Sequence, residues 1–170
     1  TGIVLMGYTN PIEVYGYEAF AIRADEAGVD GILVVDMPPE EASDLKQELD
    51  KYKIDLIFLV APTTTDERLE QISKIASGYI YYVSLKGVTG AANLDIDSVN
   101  YHLKRMRNYI QLPVGVGFGI KNADTARQVG ENADAVIVGS ALVSIVEELS
   151  SDKDKMVTKV GKLAKEISSA

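Results

Sequence analysis

Six short runs of apolar, mostly β-branched residues recur along this chain, and amphipathic helical stretches lie between them. The runs are Ile3–Tyr8, Gly31–Asp36, Asp55–Val60, Tyr79–Ser84, Val114–Gly119 and Ala135–Gly139. They are near-continuously apolar rather than alternating, the pattern of parallel strands covered on both faces. Their starts are spaced by 28, 24, 24, 35 and 21 residues, which is a βα repeat. Helices are expected over Val14–Ala27, Pro39–Lys51, Thr65–Ala76, Ile96–Tyr109, Ala123–Val129, Leu142–Leu149 and Lys155–Ile167. Two links look alike: Ala24–Gly28 leading to Asp30, and Ala126–Gly130 leading to Asp134. Each reads as a helix, a glycine stop and an aspartate entering a strand. No linker or low-complexity tract interrupts this order, so residues 1–170 read as a single domain.

Composition narrows the partners. The chain is 46% hydrophobic, enough for a sizeable core, and carries a net charge of −8. That balance argues against nucleic acid or an anionic membrane as a main partner. With no cysteine and one histidine, neither a thiolate nor a histidine metal site is expected. No apolar run reaches the roughly 18 residues of a membrane span, and no signal peptide opens the chain. A cytoplasmic protein is the expectation.

Strict alternation of strands and helices leaves a doubly wound sheet or a (β/α)₈ TIM barrel. The first is disfavoured. Gly115, Gly117 and Gly119 are spaced G-x-G-x-G, and a third dinucleotide-fingerprint glycine would have to fall at Ile120 or Asn122. The ending favours the barrel. The last two strands stop in glycine, and a short extra helix precedes the final one. Barrels often bind phosphate with the loops after strands seven and eight and such a helix. Two glycine ends, each followed by a helix start, would form a phosphate cup from backbone N–H groups and helix dipoles. Close helix–strand packing is the rival use of these glycines. If these are strands seven and eight, the chain holds the last six βα units of the barrel. The first two, about 60–90 residues of some 250, would precede it. The first and last strands would then have open edges.

In a barrel the carboxyl ends of the strands form the active face. Tyr8 could wall a flat aromatic ligand or belong to the core, and Asn10-Pro11 is a turn signal. Asp36 could act as an acid or base, or cap a helix. Thr63-Thr64-Thr65 reads as a capping tract. By alternation Tyr79 and Tyr81 share one side of their strand, and Ile80 and Tyr82 the other. A tyrosine near the mouth needs a polar partner, which substrate could supply. The loop Leu85–Asn93, with Lys86, Gly87 and Gly90, suits either a lid or a long surface loop. His102 sits in a polar helical stretch and is expected on the surface. Phe118 is placed to pack beside a ligand. Ser140 could add a hydroxyl to a phosphate or cap the helix that follows.

The segments Leu5–Pro11, Gly31–Pro38, Tyr79–Ser84 with Gly87-Val88-Thr89-Gly90, Gly117-Phe118-Gly119-Ile120 and Gly139-Ser140-Ala141 together resemble the tryptophan synthase alpha subunit. The resemblance runs over essentially the whole chain. It implies a TIM barrel in tryptophan biosynthesis, a lyase cleaving indole-3-glycerol phosphate to indole and glyceraldehyde 3-phosphate by a retro-aldol step. It further implies phosphate contacts at Gly90, Gly119, Gly139 and Ser140, and a substrate pocket at Tyr8, Thr89 and Phe118, with Tyr81 in support. Asn10 and Pro38 match the surface that meets the beta subunit in an alpha2beta2 complex. No cofactor is implied for this chain. The family's two working carboxylates match nothing in it, so the chain alone is expected to be inactive. Some members carry Arg in the lid where this chain has Leu85 or Lys86. Two other readings stay open: a non-catalytic phosphate-binding module that activates a partner, and a phosphate-sugar isomerase or epimerase barrel.

Overall fold

A computed structural model of the chain describes residues 1–84, 95–117 and 119–170. Six strands form one parallel sheet: β1 (Val4–Gly7), β2 (Gly31–Val34), β3 (Asp55–Val60), β4 (Ile80–Val83), β5 (Val114–Gly117) and β6 (Ala135–Ile137). Each strand pairs with the next in sequence order, with no reversal. A doubly wound sheet would reverse its order at a switch point, whereas an unbroken sequential order is that of a barrel wall. β1 and β6 stand at the two ends of the row.

All six expected strands are present, and the observed ones are mostly shorter. The helices depart more. The expected helix Val14–Ala27 is two helices, α1 (Thr9–Tyr15) and α2 (Tyr17–Glu26), parted by Gly16 at φ +89°. Asn10-Pro11 lies inside the first turn of α1 rather than in a turn. Proline is tolerated there because its missing N–H has no intrahelical partner to lose. Pro39–Glu41 is a separate 3₁₀ turn, and α3 runs Ser43–Lys51. α4 (Asp66–Ile75), α5 (Ile96–Met106) and α6 (Ala123–Gly130) follow. Thr65, Asp95 and Asn122 cap them through side-chain oxygens, so the threonine tract before α4 does serve as a cap. Gly130 is the last residue of α6 and not a left-handed stop. α7 (Ser140–Glu148) starts two residues earlier than expected, and α8 (Lys153–Ser168) ends the chain.

The pleat divides the strands by parity. Ile32, Val34, Leu56, Phe58, Val60, Ile80, Tyr82, Val114 and Val116 all belong to the core shared with the helices. They meet Ala21 and Ala24 of α2, Leu45 and Leu49 of α3, Leu69 and Ile72 of α4, and Val99 and Leu103 of α5. In these strands the odd-numbered residues face the other side of the sheet, where the register of β1 places Met6 beside Leu33. His102 departs from expectation. It is half-buried on α5, its ring 5.9 Å from that of Tyr82 and 5.2 Å from that of Tyr101. It flanks the apolar stripe Val99, Leu103, Met106, which draws it toward the sheet. Burial pushes the Tyr82 phenol up to about 12. Among the described residues no helix is long and apolar enough to cross a membrane.

Polar side chains lock alternate strand pairs at their entrances. Asp30 Oδ2 accepts the Ile3 N–H at 2.6 Å, while the Asp30 N–H donates to the Ile3 carbonyl at 2.9 Å. Ser77 makes the same exchange with Leu56, both bonds at 2.9 Å. Asp134 repeats it with Val114, at 2.7 and 3.1 Å, and pairs with Arg107. Burial pushes the Asp134 carboxyl upward, but the Val114 N–H and the Arg107 guanidinium outweigh it and hold it low. Arg105 likewise holds Asp66 low, and the Lys155 side chain and N–H hold Asp152 low. Groups depressed in the folded state contribute stability above their unfolded pKa and lose it as the pH falls through the folded value. The urea midpoint should therefore hold steady above the usual carboxylate pKa of about 4 and drop progressively below it. Asp134→Asn should flatten part of that drop, as followed by circular dichroism.

Candidate functional site

The carboxyl ends of the strands surround a cavity of about 370 Å³ on the Tyr81 face of the sheet. Met6, Leu59, Tyr81, Val83 and Ile137 make its walls, and Gly119, Gly139 and Ser140 lie at the ends of the last two βα units. Four of the expected site residues, Tyr81, Gly119, Gly139 and Ser140, thus line one cavity. Tyr79 shares the parity of Tyr81, as alternation required. A methyl on Gly115 would stand 3.6 Å from the Tyr79 ring.

Gly117 has a use that its glycine motif did not suggest. A Cβ there would fall 2.1 Å from the Tyr81 hydroxyl oxygen and 2.4 Å from its ring carbon Cζ. The missing side chain is the space the phenol occupies. Gly115 likewise leaves room for Ile137, whose Cδ1 would be 3.0 Å from a Cβ. These two glycines therefore serve packing across the inner face, between neighbouring strands, rather than approach to a ligand. Burial, and secondarily Tyr79, raise the Tyr81 pKa, so Tyr81 stays protonated near neutrality and keeps an O–H to donate.

Gly119 differs. Its φ of +83° lies where side chains are strained, and it lines the cavity directly. Gly139 is the N-cap of α7, and no side chain caps that helix. Ser140 is its first residue rather than a cap. A Cβ on Gly139 would meet open space, so the room in front of it is unfilled. The start of α7 therefore brings backbone N–H groups and the positive end of a helix dipole to the cavity end where Gly119 turns.

Other expected residues lie elsewhere. Tyr8 follows β1 as the N-cap of α1, is 60% exposed and is not part of the cavity lining; Met6 takes the wall position on that strand. Asn10 is exposed in α1, and Pro38 lines a separate cleft of about 420 Å³ with Asp36, Thr64 and Arg68. Asp36 neither lines the cavity nor caps a helix following its own strand. Its Oδ1 accepts the Thr9 N–H at 2.7 Å and the Thr9 hydroxyl at 2.9 Å, so it caps α1 across the sheet. The Thr9 N–H is the main reason its carboxyl is held low. This bond ties the start of α1, which bears Asn10, to the loop bearing Pro38. Leu85, Lys86, Thr89, Gly90 and Phe118 lie outside the described residues. Met6, Leu59, Val83 and Ile137 were missed as lining residues. Extending the Tyr79/Tyr81 parity along β3, β4 and β6 would have found Leu59, Val83 and Ile137, whereas Met6 reaches this face only through the register of β1 with β2.

A family model described as tryptophan synthase alpha chain matches residues 1–170. The chain belongs to this family. The alpha chain of Ruthia magnifica subsp. Calyptogena magnifica is 64% identical over 170 residues, covering all of this chain and 64% of that protein. That of Vesicomyosocius okutanii is 65% identical over 168 residues, covering 99% and 63%. The chain thus spans just under two thirds of the length of these curated relatives. The fold agrees with the crystal structure of tryptophan synthase subunit alpha from Legionella pneumophila, at TM-score 0.86 and 41% identity over 98% of this chain and 61% of that one. A second likeness, at TM-score 0.87 and 37% identity, is to the tryptophan synthase α2β2 complex of Pyrococcus furiosus, over all of this chain and 68% of that one.

The fit of Tyr81 into the Gly117 gap makes a direct test. Gly117→Ala should cost about 1–3 kcal/mol, the range for overpacking a filled site. Tyr81→Ala removes the obstructing phenol. In the double variant the cost of Gly117→Ala should shrink markedly, a coupling read from a urea-denaturation double-mutant cycle.

Proposed function

We propose that the protein containing this chain is a cytoplasmic carbon–carbon lyase of tryptophan biosynthesis. It would cleave indole-3-glycerol phosphate to indole and glyceraldehyde 3-phosphate. The observation that carries this reading is the cavity joining Tyr81 and an apolar wall to Gly119, Gly139, Ser140 and the start of α7. Its apolar wall suits an indole ring, and its uncharged N–H end suits a phosphate. On this reading the six βα units are the last six of an eight-unit barrel, in one domain. Family membership, the sequential sheet order and the share of the relatives' length all support it.

The reaction protonates the indole at C3, making the ring an electron sink. As the C–C bond to the side chain breaks, the adjacent hydroxyl gives up its proton and becomes the aldehyde. Proton transfer at both places calls for well-placed carboxylates. The described lining contains none, and Asp36 is engaged with Thr9. We therefore place the acid–base groups outside residues 1–170. Within the chain, Ser140 and the α7 N–H groups would hold the phosphate, Gly119 and Gly90 would complete that cup, and Tyr8, Tyr81, Thr89 and Phe118 would bound the indole and propyl region. Asn10 at the start of α1 and Pro38 on the loop joined to it by the Asp36–Thr9 bond would meet a beta subunit in an α2β2 assembly.

The full-length protein should release indole from indole-3-glycerol phosphate, whereas purified residues 1–170 should release none. Ser140→Ala in the full-length protein should raise KM by about three- to tenfold, the range of one lost hydrogen bond, with kcat little changed. Turnover by residues 1–170 alone would overturn the placement of the acid–base groups. A full-length protein that activates a beta subunit without cleaving the substrate would favour the binding-module reading.

A further inference from the structure

Ser84 stands one residue past β4, beside the end of β5. Its N–H continues the strand ladder to the Gly117 carbonyl at 3.2 Å. Its Oγ–H gives the same carbonyl a second hydrogen bond at 2.9 Å. Ladder continuity requires only the first. The second is a side-chain bond made where β5 leaves the sheet, from a half-buried position. The acceptor is the residue whose open Cα face is filled by the Tyr81 phenol. Two residues later Gly119 turns at φ +83° and lines the cavity. Gly117 is therefore gripped twice, by Tyr81 against its α-carbon and by Ser84 on its carbonyl.

We propose that Ser84 is a positioning residue for the anion end of the cavity. Its hydroxyl fixes the Gly117 carbonyl and so the direction in which the chain leaves β5. That direction sets where Gly119 presents its N–H relative to the start of α7. Two sets of N–H donors on separate βα units bind one phosphate well only if they converge on one point, and a single peptide rotated away loses that convergence. The phosphate would be that of the substrate, so the inference rests on the function proposed above.

The test uses the full-length protein with Ser84→Ala and Ser84→Thr. Inorganic phosphate binding is measured by calorimetry, and cleavage of indole-3-glycerol phosphate by steady-state kinetics. Ser84→Ala should weaken phosphate binding and raise KM by a common factor of about three to ten, the range of one hydrogen bond, while kcat holds. Ser84→Thr keeps the hydroxyl and should restore both. A purely structural role would lower the melting temperature without this split between KM and kcat. Unchanged phosphate affinity in Ser84→Ala would overturn the proposal, as would equal losses in the alanine and threonine variants. If the wild-type protein failed to cleave the substrate while the phosphate effect persisted, the reaction assignment would fall and the positioning role would stand.

Discussion

A parallel sheet has no tight turns to set its register, so something else must set it at the strand entrances. Here that role falls to Asp30, Ser77 and Asp134. Each side chain accepts an N–H within one residue of the start of the preceding strand while its own N–H returns a bond to the same residue. The exchange locks β1 to β2, β3 to β4 and β5 to β6. Between these pairs backbone bonds join the entrances, from the Asp55 N–H to the Asp30 carbonyl and from the Ile80 N–H to the Pro113 carbonyl. A one-residue slip would break a reciprocal pair and would also turn every core side chain to the wrong face. The clasps and the core therefore enforce the same register.

Once register is set, parity decides what each residue can do. In β2 to β5 the even-numbered residues close the core against the helices, while in β1 the parity is reversed and Met6 faces the cavity. The residues of opposite parity converge on the cavity side, and there the strands must share limited space. The sheet accommodates Tyr81 because its neighbour in register is Gly115 and the next inward position on that strand is Gly117. The large side chain on one strand is matched by absent side chains on the next. A tyrosine can then reach the mouth of the cavity without prying the strands apart. The glycines after β5 and before α7 have another task, since Gly119 needs its left-handed conformation and Gly139 faces open space.

Much of this could be read from the residues because strand burial leaves a dense local signal. Near-continuous apolar runs located all six strands, and alternation within Tyr79–Tyr82 set Tyr79 and Tyr81 on one side and Ile80 and Tyr82 on the other; the structure shows that the second side is the core. The matching aspartates before strands two and six were visible as a repeat, though their bonds to the preceding strands were not. Ser77 escaped notice because its role depends on a partner 21 residues away. The split at Gly16 was missed because a helix-compatible pattern continues on both sides of it. Asp36 shows the same limit: its partner Thr9 lies 27 residues away at the start of α1. His102 looked like a surface residue by its polar neighbours, but its position beside a buried stripe carries it onto Tyr82. The glycine motif at 115–119 was read as one device, and only three-dimensional packing separates the glycines that make room for side chains from the one that turns.

An anion site at this end of the cavity has to work against the charge of the whole chain, which is −8. At physiological ionic strength that repulsion is screened beyond about 8 Å, so what counts is the local field. No lysine or arginine is among the described residues lining the cavity. In the proposed cup the attraction comes from the start of α7, equivalent to roughly half a positive charge, and from backbone N–H groups around it. A lysine can swing to follow a misplaced phosphate, but a peptide N–H cannot. A cup made of backbone is therefore only as good as the placement of its peptides. In the proposed cup that placement would be produced by groups that need not touch the ligand: the Tyr81 phenol seated on Gly117, the Ser84 hydroxyl on its carbonyl and the first turn of α7. The specificity of such a site is distributed into the packing around it, which is why residues with no charge of their own govern how it receives a charged group.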